Sequence, residues 1–139
     1  MKKEIVDMNL EKIKLLIKEH AWDARITGIN CNYFADEVEI CHESSEDSVD
    51  VVYKFTGCYR VIFEHVKNYD KGGPMKEITL AELFYALQSI EVSSVSENNI
   101  NFYTCKIDMF PMNVEIWCKD IEVFKNLYSI NCTHRRNLL

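Results

Sequence analysis

The stretch Val49–Val66, VDVVYKFTGCYRVIFEHV, constrains the fold more than any other, because it carries the densest two-residue hydrophobic alternation in the chain. Val49, Val51, Tyr53 and Phe55 fall on one face of a first strand, and Tyr59, Val61 and Phe63 on one face of a second. Read as a hairpin, these sets meet on one side of a sheet only if the loop is odd in length, since a one-residue slip turns every side chain over. A loop of Thr56-Gly57-Cys58 meets that condition and pairs Phe55 with Tyr59, Tyr53 with Val61 and Val51 with Phe63. Gly57 would supply the backbone conformation that other residues avoid. The same register sets Lys54 opposite Arg60, a mildly unfavourable like-charge pair. Val52 and Ile62 point the other way, so both faces of this ribbon are expected to be partly covered.

The remaining chain reads as further strands around two helices. Asn9 caps a helix to His20, with Leu10, Ile13, Leu16 and Ile17 in one apolar stripe. Strands follow at Arg25–Phe34 and Val38–His42, separated by the turn Ala35-Asp36-Glu37. Beyond the loop Lys67–Met75, Thr79 and Glu82 form a capping box, and Leu80, Leu83, Phe84 and Leu87 give a second helical stripe. Ile90–Val95 is a short strand. Ile100–Met109 and Val114–Lys119 form a hairpin around Phe110-Pro111-Met112-Asn113. Proline disfavours a two-residue primed turn there. A four-residue loop pairs Met109 with Val114, Ile107 with Ile116 and Cys105 with Cys118, and brings Lys106 beside Trp117 in a cation–π contact. Asp120–Tyr128 suits either a strand or a helix, and its β-branched Ile121 and Val123 favour the strand. The tail His134–Asn137 is expected to fray. The sum is an α+β domain, mostly antiparallel sheet, with two short helices and more strand than helix.

At 139 residues the chain fits one domain, residues 1–139, able to bury roughly two thirds of its unfolded surface. Four glycines and two prolines leave little room for linkers. The N-terminal MKKEIVDMNLEKIK lacks the apolar centre of a secretory leader, and no apolar run approaches a membrane span. A cytosolic location is therefore expected, with the six cysteines as reduced thiols, since they include no CxxC pair. A net charge of −6 gives no primary affinity for nucleic acid and suits a basic protein partner.

No catalytic, cofactor or metal motif stands out. Cys41 and His42 are adjacent, but strand neighbours point to opposite faces. A cysteine–histidine enzyme would need a thiol and one of His20, His42, His65 or His134 brought together by the fold. Gly72-Gly73-Pro74 lacks the spacing of a phosphate-cradling loop, and no HxxxH or HExxH occurs.

The least explained feature is charge. Asp36, Glu37, Glu39, Glu43, Glu46, Asp47 and Asp50 follow one another with no lysine or arginine between them. They suit a negative surface that steers a cationic partner, or equally a solvated edge that blocks strand-to-strand aggregation. Trp22, Tyr59, Phe102 and Trp117 are candidate exposed aromatics, and Trp117 joins the acidic residues as a candidate partner contact.

The segments WDARI, FTGCYRVIFEHV and MFPMNVEIWCKDIEV, in this order behind a first helix, give the chain a further likeness. It resembles small cytosolic immunity-type proteins that Gram-positive bacteria, Bacillus among them, encode beside polymorphic toxins. The resemblance implies a non-enzymatic, single-domain inhibitor that binds a basic toxin domain directly and needs no cofactor. The other classes left open are a small cysteine/histidine-dependent enzyme and a structural subunit of a larger complex.

Overall fold

Alternation of apolar and polar residues is realised, among the described residues, as eight antiparallel strands. The computed structural model describes residues 8–20, 23–46, 48–66 and 85–127. Helix α1 (Met8–His20) buries Leu10, Ile13 and Ile17, with Glu11 in its first turn and Lys18 and His20 in its last, matching the helix dipole. Strands β1 (Ile26–Asn32), β2 (Glu37–Glu43), β3 (Val49–Thr56) and β8 (Asp120–Leu127) form one sheet in the order β1-β2-β3-β8. Strands β4 (Arg60–His65), β5 (Ser89–Glu97), β6 (Ile100–Met109) and β7 (Met112–Cys118) form a second, in the order β4-β7-β6-β5. Their inner faces meet in one core. Val38, Ile40, Val51, Tyr53, Phe55 and Ile121 come from the first sheet, and Cys105, Ile107, Met109, Val114, Ile116 and Cys118 from the second. The α1 stripe packs into the same core, and the helix lies against β5 and β8.

The segment Val49–Val66 is not a hairpin. It is a corner. Strand β3 pairs with β2 and β8, while β4 crosses into the other sheet and pairs with β7, so Tyr53 faces Ile40 and Val123 and Val61 faces Ile116. The partner ribbon β7–β8 turns at the same place. Thr56 is opposite Asp120 and Arg60 opposite Trp117, so Gly57, Cys58 and Tyr59 span the distance that Cys118 and Lys119 cover. That extra residue is a bulge, which bends both ribbons and raises their twist. Gly57 carries it at φ +63°, and a Cβ there would lie 3.0 Å from Lys119 Cβ. The Lys119 amide donates towards the Thr56 and Gly57 carbonyls at 3.0 and 3.2 Å. The long-range register wins because it lines both edges of β3, burying Val51, Val52, Tyr53 and Phe55. It also places Lys54 between Glu39 and Glu122 instead of opposite Arg60.

The β6–β7 hairpin forms where expected but two residues out of the expected register. Met109 pairs with Met112, Ile107 with Val114, Cys105 with Ile116 and Tyr103 with Cys118. The Phe110–Pro111 peptide is cis, which lets proline sit at the third position of a tight turn. A shift of two keeps the side-chain parity, so the expected face is still the buried one.

The described residues contain a single helix, against the two expected. The second stripe falls mainly outside the described residues, as do the loop Lys67–Met75 and the tail His134–Asn137, but its end is not helical. Ala86 bridges Arg25, the Ile26 amide donates to the Tyr85 carbonyl at 2.8 Å, and the Leu87 amide to the Ala24 carbonyl at 2.8 Å. Gln88 N–H reaches the Asp108 carbonyl at 2.7 Å, so this short extended piece ties the start of β1 to β6. Of the undecided Asp120–Tyr128, Asp120–Leu127 is strand β8, as its β-branched residues favoured, and Tyr128 lies outside the described residues.

Candidate partner-binding surface

The outward face of the second sheet is concave. Two rows of side chains cross its four strands, Ile62–Glu115–Lys106–Glu91 and Glu64–Asn113–Asp108–Ser89. Together they line a trough of about 460 Å3. Alternation puts Val61, Cys105, Ile107 and Val114 into the core and leaves these polar neighbours outside. The trough carries four carboxylates (Glu64, Glu91, Asp108 and Glu115) and one ammonium, Lys106, which the register places between Glu91 and Glu115.

An aromatic shelf adjoins the trough at the corner end. Trp117 stacks on Phe102 with ring centroids 5.5 Å apart, and Tyr59 meets Phe102 edge-on at 5.6 Å. The Arg60 guanidinium covers the Trp117 ring at 5.2 Å. Glu115 joins shelf to trough, accepting the Trp117 indole N–H at 2.7 Å and lying 3.9 Å from Arg60 Nε. The cation over Trp117 is therefore Arg60 and not Lys106, because the two-residue shift sets Lys106 opposite Glu115. Of the four candidate exposed aromatics, Tyr59 is exposed, Trp117 half-buried and Phe102 buried within the stack, while Trp22 lies outside the described residues.

The acidic stretch is distributed over several environments. Asp36 is exposed in the β1–β2 turn, and Glu37 and Glu39 lie half-buried on the outward face of the first sheet. The register continues that face to Asp120 and Glu122, across Thr56 and Lys54. Glu43 lies 3.8 Å from Arg25 Nε, and Glu46 is hydrogen-bonded to Lys125. Asp47 is outside the described residues. Asp50, expected on the negative surface, is instead fully buried and accepts the Thr27 hydroxyl at 3.0 Å, because β3 is covered on both faces. Trp117 alone of these candidates belongs to the second sheet's outward face. Glu64, Glu91 and Asp108 were not singled out from sequence, since they adjoin only once β4, β7, β6 and β5 are paired.

Thiol chemistry finds an unfavourable setting. None of the five described cysteines is in a disulfide. Burial pushes the Cys58 thiol up to about 11, with Asp36 adding to the effect, and Cys118 up to about 12. Burial also raises Cys105 strongly and Cys31 modestly. Nucleophilic thiols need the opposite shift. Contacts of the described histidines run to Glu19 from His20, to Glu43 and Tyr53 from His42, and to Tyr85 from His65. Among the described residues no group of three metal-binding side chains comes together, and no helix is long and apolar enough to cross a membrane.

Stacked aromatics and an arginine, residue types enriched in protein interfaces, thus border a charged concavity. Comparison with known families supplies a class, since the matching family is one of immunity proteins. The family described as immunity protein PIM7 matches residues 9–125, and the chain belongs to it. No curated protein matches the chain.

Proposed function

We propose that this immunity protein neutralises a protein toxin by binding it directly, without catalysis, and that the trough and shelf of the second sheet are the surface that meets it. The observation that carries this reading is the trough itself, with four carboxylates against one lysine beside the Tyr59–Phe102–Trp117 stack. A basic segment of the toxin fits that charge, and complementary charge speeds encounter before any close contact forms. Trp117, held by Glu115 and Arg60, supplies the aromatic anchor that such interfaces use. Asp36, Glu37 and Glu39 add to the attractive field from the neighbouring sheet, while Glu43 and Glu46 have Arg25 and Lys125 close by. Binding takes place in the cytoplasm of the cell that makes both proteins.

The test is co-expression with each candidate toxin domain encoded in the genes next to that of this chain, followed by kinetics on the purified pair. Wild type is expected to restore growth and to form a complex that associates faster at low salt. Glu91→Lys with Asp108→Lys is expected to slow association at least about tenfold while the fold, followed by circular dichroism, is kept. Unchanged association in that variant would take the trough out of the interface. A wild-type chain that neither binds nor protects would end the inhibitor reading.

A further inference from the structure

We infer that the β1–β2 turn is a second anchor of the same complex, in which Tyr33 and Phe34 enter an apolar pocket with a cationic rim on the protein toxin. The inference rests on the function proposed above and adds a site outside the trough. Phe34 is fully exposed and Tyr33 is 73% exposed, so neither ring contributes to the core. Their backbone is unusual as well. Tyr33, Phe34 and Ala35 take φ of 54°, 56° and 68° in succession, a left-handed path that residues with bulky side chains rarely adopt. A turn needed only to reverse the chain is better served by asparagine or glycine. Here two aromatics hold the unfavourable positions and face solvent, where apolar surface lowers solubility.

The turn is fixed in place. Asp36 N–H donates to the Tyr33 carbonyl at 3.0 Å, and Cys58 N–H donates to the Asp36 carbonyl at 3.0 Å, tying the turn to the bulged corner. A knob already held in its projecting form loses little conformational freedom when it docks. Its surroundings state the partner's charge. Asp36, Glu37, Glu39, Asp120 and Glu122 outnumber Lys54 and Lys119 around the turn and along the adjoining face. Continuity with the shelf follows from the same hydrogen bond, because Cys58 precedes Tyr59, whose ring meets Phe102. Knob and shelf thus share one end of the molecule, within reach of a single partner.

The experiment compares wild type with Tyr33→Asn and Phe34→Asn against the purified toxin. Asparagine tolerates a positive φ, so both variants are expected to melt no lower than wild type. Dissociation is expected to quicken by at least about 30-fold for Phe34→Asn, the scale of an aromatic hot spot. Asp36→Lys is expected to slow association at low salt by about tenfold. A photoreactive benzoylphenylalanine at position 34 is expected to crosslink to apolar toxin residues flanked by lysine or arginine. Wild type that binds while Phe34→Asn binds equally well would overturn the inference and leave the proposed function standing. Wild type that does not bind would remove both. A chain that self-associates in sedimentation, and becomes monomeric on Phe34→Asn, would assign the knob to a second copy and overturn the toxin pocket.

Discussion

Glu115 accepts the indole N–H of Trp117, two residues along the same strand, at 2.7 Å, and the same carboxylate lies 3.9 Å from Arg60 Nε. One acidic side chain therefore fixes both the plane of the aromatic ring and the cation above it. All three groups are partly exposed, and solvent-screened pairs of this kind contribute little to folding.

Glu115→Ala is accordingly expected to leave thermal stability within about 0.5 kcal/mol of wild type while weakening toxin binding about tenfold. Trp117→Ala is expected to weaken binding further, by about 30-fold or more. Titration calorimetry on the toxin domain, paired with thermal melts, separates the two effects. A stability loss without an affinity loss would mark the trio as structural.

Gly57→Ala is expected to destabilise the protein by about 1–3 kcal/mol. Two penalties combine, since φ is +63° and the added Cβ would meet Lys119 Cβ at 3.0 Å. Gly57→Asn is expected to relieve only the first, because asparagine accepts the left-handed backbone but still carries a Cβ. Urea denaturation of the three proteins should rank them glycine, asparagine, alanine. Equal stabilities would mean that the corner adapts without cost.

His42 predicts a pH effect. Its Nδ1–H donates to the Glu43 carbonyl at 2.6 Å, and its Nε2 shares a 3.0 Å hydrogen bond with the Tyr53 hydroxyl, which the neutral ring accepts. Burial holds the imidazole below its ordinary 6.5 and outweighs the Glu43 carbonyl and the Asp50 and Glu43 carboxylates, which pull upward, while His20 adds to the lowering. The unfolded chain therefore binds the proton more readily than the folded one. This contribution to stability is complete above about pH 6.5 and declines as pH falls below it. Denaturation midpoints between pH 7.5 and 5.5 should drop more steeply for wild type than for His42→Gln. Parallel curves would dissociate His42 from the pH response.

Thiol labelling at neutral pH should modify Cys31 first among the described cysteines, because it alone of them is exposed. Cys58, Cys105 and Cys118 should react only when the chain unfolds, given their raised pKa values. Counting modified thiols by mass spectrometry with and without denaturant reads this directly. Fast native modification of any of the three would reopen thiol catalysis.

Sequence patterns located most of the strands, because alternation is local and survives errors of register. Ile121 and Val123 marked β8, and the parity of Met109, Ile107 and Cys105 marked the buried face of β6 even with its partner two residues out of place. The corner was not legible. Thr56 and Asp120 are distant in sequence, and the local alternative, a hairpin through Gly57, used the same glycine with the same backbone demand. The trough was hidden for the same reason, since Glu64, Glu91, Asp108 and Glu115 sit on four strands whose pairing is non-local. Tyr33 and Phe34 read as the end of a strand, and only three positive φ values in succession reveal the turn that displays them.

The bulged corner has a mechanical consequence. Ribbons β3–β4 and β7–β8 each spend half their length in one sheet and half in the other, so strand separation in either sheet must drag on the backbone ladder of its neighbour. Force applied at the shelf is thus shared across both layers instead of peeling β4 from an edge.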